Sequence, residues 1–186
     1  MQTQRRILLV FWLTLIVGCA TSQPRSDDEI NSRSLGIAFK SPARWCSVAR
    51  SETAARYAYR PCGDKTTVIA VDRFSRAIEM PDSDDDVQRM LLPESLGEMW
   101  VARFVGELDF AVGTITDSRP IQVAGNTGVS VAATYRASDG APICVRTILL
   151  PLQQGVISLQ FQGTCSDGTS SLDAAFDTLI ESVRIR

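Results

Sequence analysis

Two apolar stretches, Ile143 to Leu150 and Val156 to Gly163, flank Gln153-Gln154-Gly155, and a cysteine stands at the outer end of each, Cys144 and Cys165. Short apolar runs around a glycine-bearing turn predict a β-hairpin. Side chains alternate between the faces of a strand, so one register fixes every pairing along the hairpin. A turn centred between Gln154 and Gly155 would set Cys144 opposite Cys165, Ile148 opposite Phe161 and Leu150 opposite Leu159, all on one face. Arg146 falls on that same face, opposite Gly163. The shared parity of apolar residues and cysteines points to a bond between Cys144 and Cys165, provided the chain reaches an oxidising compartment.

The N-terminus bears on that condition. Arg5 and Arg6 precede an apolar run from Ile7 to Val17, and Gly18 stands immediately before Cys19. A positive stretch, a short apolar run and a small residue make a secretory signal. Eleven residues are too few for a membrane-spanning helix, which needs about 20. Ile16-Val17-Gly18-Cys19 resembles the lipobox of bacterial lipoproteins. That resemblance implies cleavage after residue 18, diacylglycerol on Cys19 and acylation of the new amino terminus. Ala20, where an aspartate would imply retention at the inner membrane, implies an outer-membrane anchor facing the periplasm. Residues 19–33 are polar, lack an apolar period and predict a flexible, lipid-bearing tether.

With Cys19 acylated, Cys46, Cys62, Cys144 and Cys165 remain. Export favours two disulfides. If Cys144 joins Cys165, Cys46 is left with Cys62. The chain has no histidine and no C-x-x-C pair, so no zinc site or other cofactor is expected. Removing residues 1–18 takes two arginines and no acid, leaving 17 basic against 21 acidic residues. Such a balance excludes the basic footprint of a nucleic-acid-binding domain.

Residues 34–186 suit a single domain. Leu35 to Lys40 predicts a strand, Pro42 interrupts it, and Trp45 to Ala49 resumes extended structure, with Trp45 as a packing residue. Arg56 to Arg60 alternates, placing Tyr57 and Tyr59 on one face and both arginines on the other. Tyr and Arg are enriched at interaction hot spots, which makes Arg56, Tyr57, Tyr59 and Arg60 the candidate partner surface. Thr66 to Phe74 is the next strand. Met80 to Leu92 predicts one helix, and Ser95-x-x-Glu98 forms a capping box for another that ends near Gly106. Leu108 to Asp117 and Ile121 to Ala124 predict strands split by Pro120. A turn at Gly125-Asn126-Thr127-Gly128 follows, and a strand then runs to Arg136. Ser170 or Ser171 caps a terminal helix, along which Leu172, Phe176, Leu179, Ile180 and Val183 form an apolar stripe.

Gly36-x-x-Phe39-x-x-Pro42-x-x-Trp45, Ile121-x-Val-x-Gly125 with Gly128 to Tyr135, the late hairpin and Phe176-x-x-Leu179-Ile180-x-Ser182-Val183 together resemble the PsbP/Mog-type domain. That group includes bacterial lipoproteins of the DcrB and LpqN kinds. The resemblance implies an α+β fold, an antiparallel sheet flanked by helices as an α/β/α sandwich, in a family that mostly binds partners.

Without histidine, neither Ser-His-Asp nor Cys-His catalysis has its base. A Ser-Lys dyad has only Lys40 and Lys65 to draw on. Gly63-Asp64-Lys65-Thr66 ends like a phosphate loop but lacks its first glycine and spacer. Paired carboxylates depend on a separation that sequence does not encode. The leading expectation is a non-enzymatic interaction module, held at the membrane by its N-terminal lipid and serving an envelope protein partner. A carrier of lipid or another small ligand is the alternative, with a periplasmic hydrolase behind it.

Overall fold

The computed structural model describes residues 28–49, 55–74, 95–100, 113–137, 139–153, 155–165 and 171–186. Cys19 with the signal and the start of the tether, the helix expected over Met80 to Leu92 and the end expected near Gly106 lie outside the described residues. Among the described residues, ten strands occur in chain order: β1 (Glu29–Ser32), β2 (Ile37–Lys40), β3 (Trp45–Ser47), β4 (Tyr57–Pro61), β5 (Val68–Arg73), β6 (Thr114–Val123), β7 (Asn126–Arg136), β8 (Pro142–Leu152), β9 (Gly155–Thr164) and β10 (Arg184–Ile185). Helix α1 covers residues 95–100, and α2 is Ser171–Ser182.

The strands form a seven-stranded sheet, β3-β4-β5-β9-β8-β7-β6, and a three-stranded sheet, β1-β2-β10. Every pairing is antiparallel. The central strands β7, β8 and β9 bury both faces. On one face Ile148, Leu150, Leu159 and Phe161 meet Ile37 and Phe39 of the small sheet and Phe176, Leu179 and Val183 of α2. On the other, Val129, Val131, Val145 and Leu149 meet Leu96 and Trp100 of α1. The expected α+β architecture, with helices on both faces of an antiparallel sheet, is therefore the observed one.

The β8–β9 hairpin forms with its parity as expected but its register displaced. Leu152 faces Gly155 across a two-residue turn, so Cys144 lies opposite Gly163, Ile148 opposite Leu159 and Leu150 opposite Ile157. Both disulfides nevertheless form as expected, Cys46 with Cys62 and Cys144 with Cys165, at Cα separations of 5.2 and 5.0 Å. They share one construction. Cys46 is in register with Arg60 and Cys144 with Gly163, and each bonds two residues further along, just past the end of β4 or β9. Arg146 sits opposite Phe161, where its guanidinium reaches Asp177 at 2.7 Å and lies 5.4 Å from the Phe176 ring. Its stem covers apolar surface while its head pairs on α2, which reconciles a charge with the apolar face.

Other differences have local causes. The polar stretch was expected to stay a tether through residue 33, yet Glu29–Ser32 pair with β2 as an edge strand. Its bonds come from the backbone, and Ile30 alone supplies apolar anchorage, so no apolar period announces it. Pro120 does not split its strand: β6 runs unbroken from Thr114 to Val123, with a bulge between Ile115 and Asp117. As the edge of the sheet, β6 tolerates a residue that lacks an N–H. The following turn is centred on Ala124-Gly125, not on Asn126-Thr127, with φ of 50° and 78° at its two central residues. Two positive φ values are the requirement of a type I′ hairpin turn. After α2, the chain closes the small sheet through β10, which pairs with β2.

Candidate functional site

The turn between β1 and β2 spans residues 33–36. Ser32 is buried, and its carbonyl accepts hydrogen bonds from Leu35 N at 3.2 Å and Gly36 N at 3.0 Å. Gly36 takes φ of 71°, a backbone state that a glycine adopts without strain. Leu35 is driven into the core at 1% exposure, while Arg33 and Ser34 are left at the surface. The tight turn thus inserts one side chain and presents the two before it.

Ser34 is the point on which distant arginines converge. Arg56 Nη1 donates to the Ser34 hydroxyl, and Arg73 Nη2 donates to the Ser34 carbonyl at 2.6 Å. The backbone N–H of Arg186 donates to the Gly36 carbonyl at 3.0 Å, which ties the chain's last residue to the same turn. Its guanidinium lies 3.6 Å from Glu29 on β1. Asn31, Ser32, Arg33, Ser34, Tyr57 and Arg186 line a cavity of about 590 Å³ here. Tyr57 supplies a half-buried aromatic wall, held edge-on by Phe39 at 5.5 Å between ring centroids. Among the described residues, no carboxylate pairs with Arg33, Arg56 or Arg73.

Of the four residues expected to form a partner surface, the structure brings two together. Arg56 lies in the bend before β4, outside the strand alternation that would have put it on the far face, and so reaches Ser34 beside Tyr57. Tyr59 is a correction: at 1% exposure it belongs to the core and presents nothing to a partner. Arg60 stands on the opposite face of β4 from Tyr57, away from the cavity. Arg33, Ser34, Arg73 and Arg186 went unrecognised in the sequence. They lie in an expected tether, at the end of a strand and at the last residue, and no local spacing links them. Trp45, expected to pack, is buried within the core.

The titration pattern elsewhere is structural. At the β4–β5 turn, Asp64 accepts hydrogen bonds from Thr66 N at 2.7 Å, Thr66 Oγ1 at 2.8 Å and Thr67 N at 3.3 Å. Slight desolvation pushes its carboxyl up, but these bonds to Thr67 and Thr66 outweigh it and hold the pKa at about 2. Gly63-Asp64-Lys65-Thr66 is therefore an Asx-type turn organised around the aspartate. Burial raises the Tyr135 hydroxyl above its ordinary value, against a hydrogen bond with Gln162. Neither group faces the arginine-lined cavity. What converges there is positive charge and hydrogen-bond donors, a set suited to holding an oxyanion.

No protein-family model matches the chain, and no curated protein matches it in sequence. In structure it is similar to cyanobacterial PsbP (CyanoP) from Synechocystis sp. PCC 6803, with a TM-score of 0.61 and 11% identity, covering 91% of this chain and 96% of that one. The fold is thus PsbP-like. A protein of unknown function from Pseudomonas aeruginosa aligns at a TM-score of 0.44 and 13% identity, over 87% of this chain and 99% of that one.

Proposed function

We propose that this protein is a lipoprotein of the cell envelope, anchored through acylated Cys19 to the outer membrane and facing the periplasm, whose PsbP-like domain is a non-catalytic binding module. The observation that carries the binding part is the cavity at the β1–β2 turn, lined by Arg33 and Arg186, where Glu29 is the one carboxylate paired among the described residues. The disulfides Cys46–Cys62 and Cys144–Cys165 support the exported location, because such bonds persist in oxidising compartments. The residues around Cys19 support the anchor, since a multiply acylated cysteine attaches a protein stably without further membrane-binding surface. A carrier with its ligand between sheet and helix has less support. Phe176, Leu179 and Val183 of α2 pack at 0–1% exposure against Ile148, Leu150 and Leu159, which fills the space described there.

The test is to follow radiolabelled palmitate into the full chain and its Cys19→Ala variant, then crosslink intact envelopes and recover the protein. Label in the parent only, membrane fractionation lost in the variant and a reproducible partner or ligand are expected. Equal fractionation of the two chains would refute the anchor. Recovery of the protein alone, with neither a partner nor a ligand, would refute the binding module.

A further inference from the structure

We infer that the cavity at the β1–β2 turn binds the phosphate group of a phosphate-bearing ligand. This inference rests on the reading of the domain as a binding module and names what that module binds.

Charge is the first argument. The mature chain is net acidic, yet Arg33 and Arg186 line this cavity, and Arg56 and Arg73 are bonded to Ser34 on its wall. Folding like charges together is unfavourable unless something at the site draws on them. A guanidinium carries five N–H donors in a fixed fork. Arg56 and Arg73 each spend one on Ser34, a neutral partner that fixes their positions without neutralising them. The one carboxylate paired there among the described residues, Glu29, stands 3.6 Å from Arg186 at the rim.

Geometry separates phosphate from a carboxylate side chain. Arg33 enters the cavity from the β1–β2 turn and Arg186 from beyond β10, while Arg56 before β4 and Arg73 at the end of β5 hold Ser34 on its wall. A single carboxylate is planar and is satisfied by one fork. Donors arriving from several directions suit a tetrahedral, multiply acceptor-bearing oxyanion. The volume of about 590 Å³ fits a phosphorylated headgroup or a small phosphate ester, and lies within the usual range for small-molecule sites. Tyr57 would cover the uncharged part of such a ligand.

Position brings the membrane within reach. Ten residue steps separate Cys19 from Glu29, so at about 3.3–3.6 Å per residue the acylated cysteine lies at most about 36 Å from the start of β1. A lipid phosphate and a free phosphate ester offer the same group, and their affinities tell them apart.

The test uses the full, lipidated chain in dodecyl maltoside micelles, with arginine Nε–H signals followed by NMR. It is titrated in parallel with inorganic phosphate, with dihexanoyl phosphatidylglycerol and with a polyglutamate peptide. Saturable shifts at Arg33, Arg56 and Arg73 with phosphate or phosphatidylglycerol support the inference, and the tighter of the two names the source. Arg33→Gln should weaken that binding about tenfold or more, as expected for loss of a charge-assisted bond. Glu29→Gln should tighten it by removing the competing carboxylate, a gain that misfolding would not produce. Arg119→Gln, on the distant edge strand β6, should leave it unchanged. Response to polyglutamate alone, equal weakening by Arg119→Gln or silence in all three titrations overturns the inference. Silence here, beside normal Cys19 acylation and a recovered protein partner, would remove the phosphate site and leave the binding module standing.

Discussion

The two disulfides share one construction but brace different parts of the molecule, and removing them one at a time separates global from local stability. Cys46–Cys62 closes a sequence separation of 16 and Cys144–Cys165 one of 21. In the chain-entropy account, loops of these lengths stabilise by about 3 kcal/mol each, because the cross-link restricts the unfolded chain. Unfolding of a domain of this size loses roughly 2 kcal/mol per molar urea, so either double Cys→Ser variant should lower the midpoint by about 1.5 M. On that measure the two are nearly indistinguishable.

Hydrogen exchange in the native state distinguishes them. Strand β3 is three residues long, lies at an edge and pairs only with β4. Without Cys46–Cys62 it should open locally, and Cys46 and Ser47 should lose protection beyond the global loss. Strands β8 and β9 hold each other from Ile143–Thr164 to Leu152–Gly155, and each has a second strand neighbour. Without Cys144–Cys165 their amides should exchange only through global unfolding. An unchanged urea midpoint in the Cys144→Ser, Cys165→Ser variant would refute the entropic magnitude. Selective opening of β8 and β9 would refute the claim that the ladder suffices.

Four further outcomes follow from single contacts. Gly128→Ala puts a Cβ 2.5 Å from the Leu149 carbonyl oxygen, a backbone atom of the adjacent strand, and should destabilise by about 2 kcal/mol or more in thermal unfolding. Leu35→Ala empties a site at 1% exposure and should cost about 2–5 kcal/mol, measured by urea denaturation. Ala124→Asn replaces an alanine at φ of 50° with a residue that tolerates it and creates the favoured Asn-Gly turn, for a gain of about 0.5 kcal/mol in the same assay. The Asp64 carboxyl is depressed to about 2, so its contribution is complete above its unfolded value near 4 and is lost as pH falls through about 2. Parent and Asp64→Asn should differ by about 1 kcal/mol near neutral pH and converge below pH 2, since the group is largely solvated.

What the sequence disclosed, and what it hid, divides along one physical line. The β8–β9 hairpin, α2 and the cysteine pairing were legible because each rests on local periodicity or on parity, which survives a register error of two residues. Strand β1 was hidden because an edge strand paired through its backbone needs little apolar pattern. The continuity of β6 was hidden because Pro120 is excluded only from strands hydrogen-bonded on both sides. Tyr57 and Tyr59 alternate correctly on one face, yet nothing in Arg-Tyr-Ala-Tyr-Arg tells which tyrosine the small sheet and α2 will cover. Burial there is decided by segments outside that strand, β2 before it in the chain and α2 long after it.

The arginine-lined cavity shows the same rule from the side of function. Arg33, Arg56, Arg73 and Arg186 span 153 residue steps, and what joins them is β2. It pairs with β1 on one side and β10 on the other, so the two ends of the described chain meet across a single four-residue strand. Arg186 then reaches Gly36 through its backbone, and Ser34 takes the side chains arriving from β4 and β5. The small sheet therefore closes the apolar core over Leu35, Ile37 and Phe39 and, in the same turn, sets the spacing of the donors. A substitution that loosens β10, such as Ile185→Pro, should disturb the cavity while leaving the seven-stranded sheet intact. Loss of arginine signals without loss of β8–β9 exchange protection would identify the small sheet as the element that assembles the site.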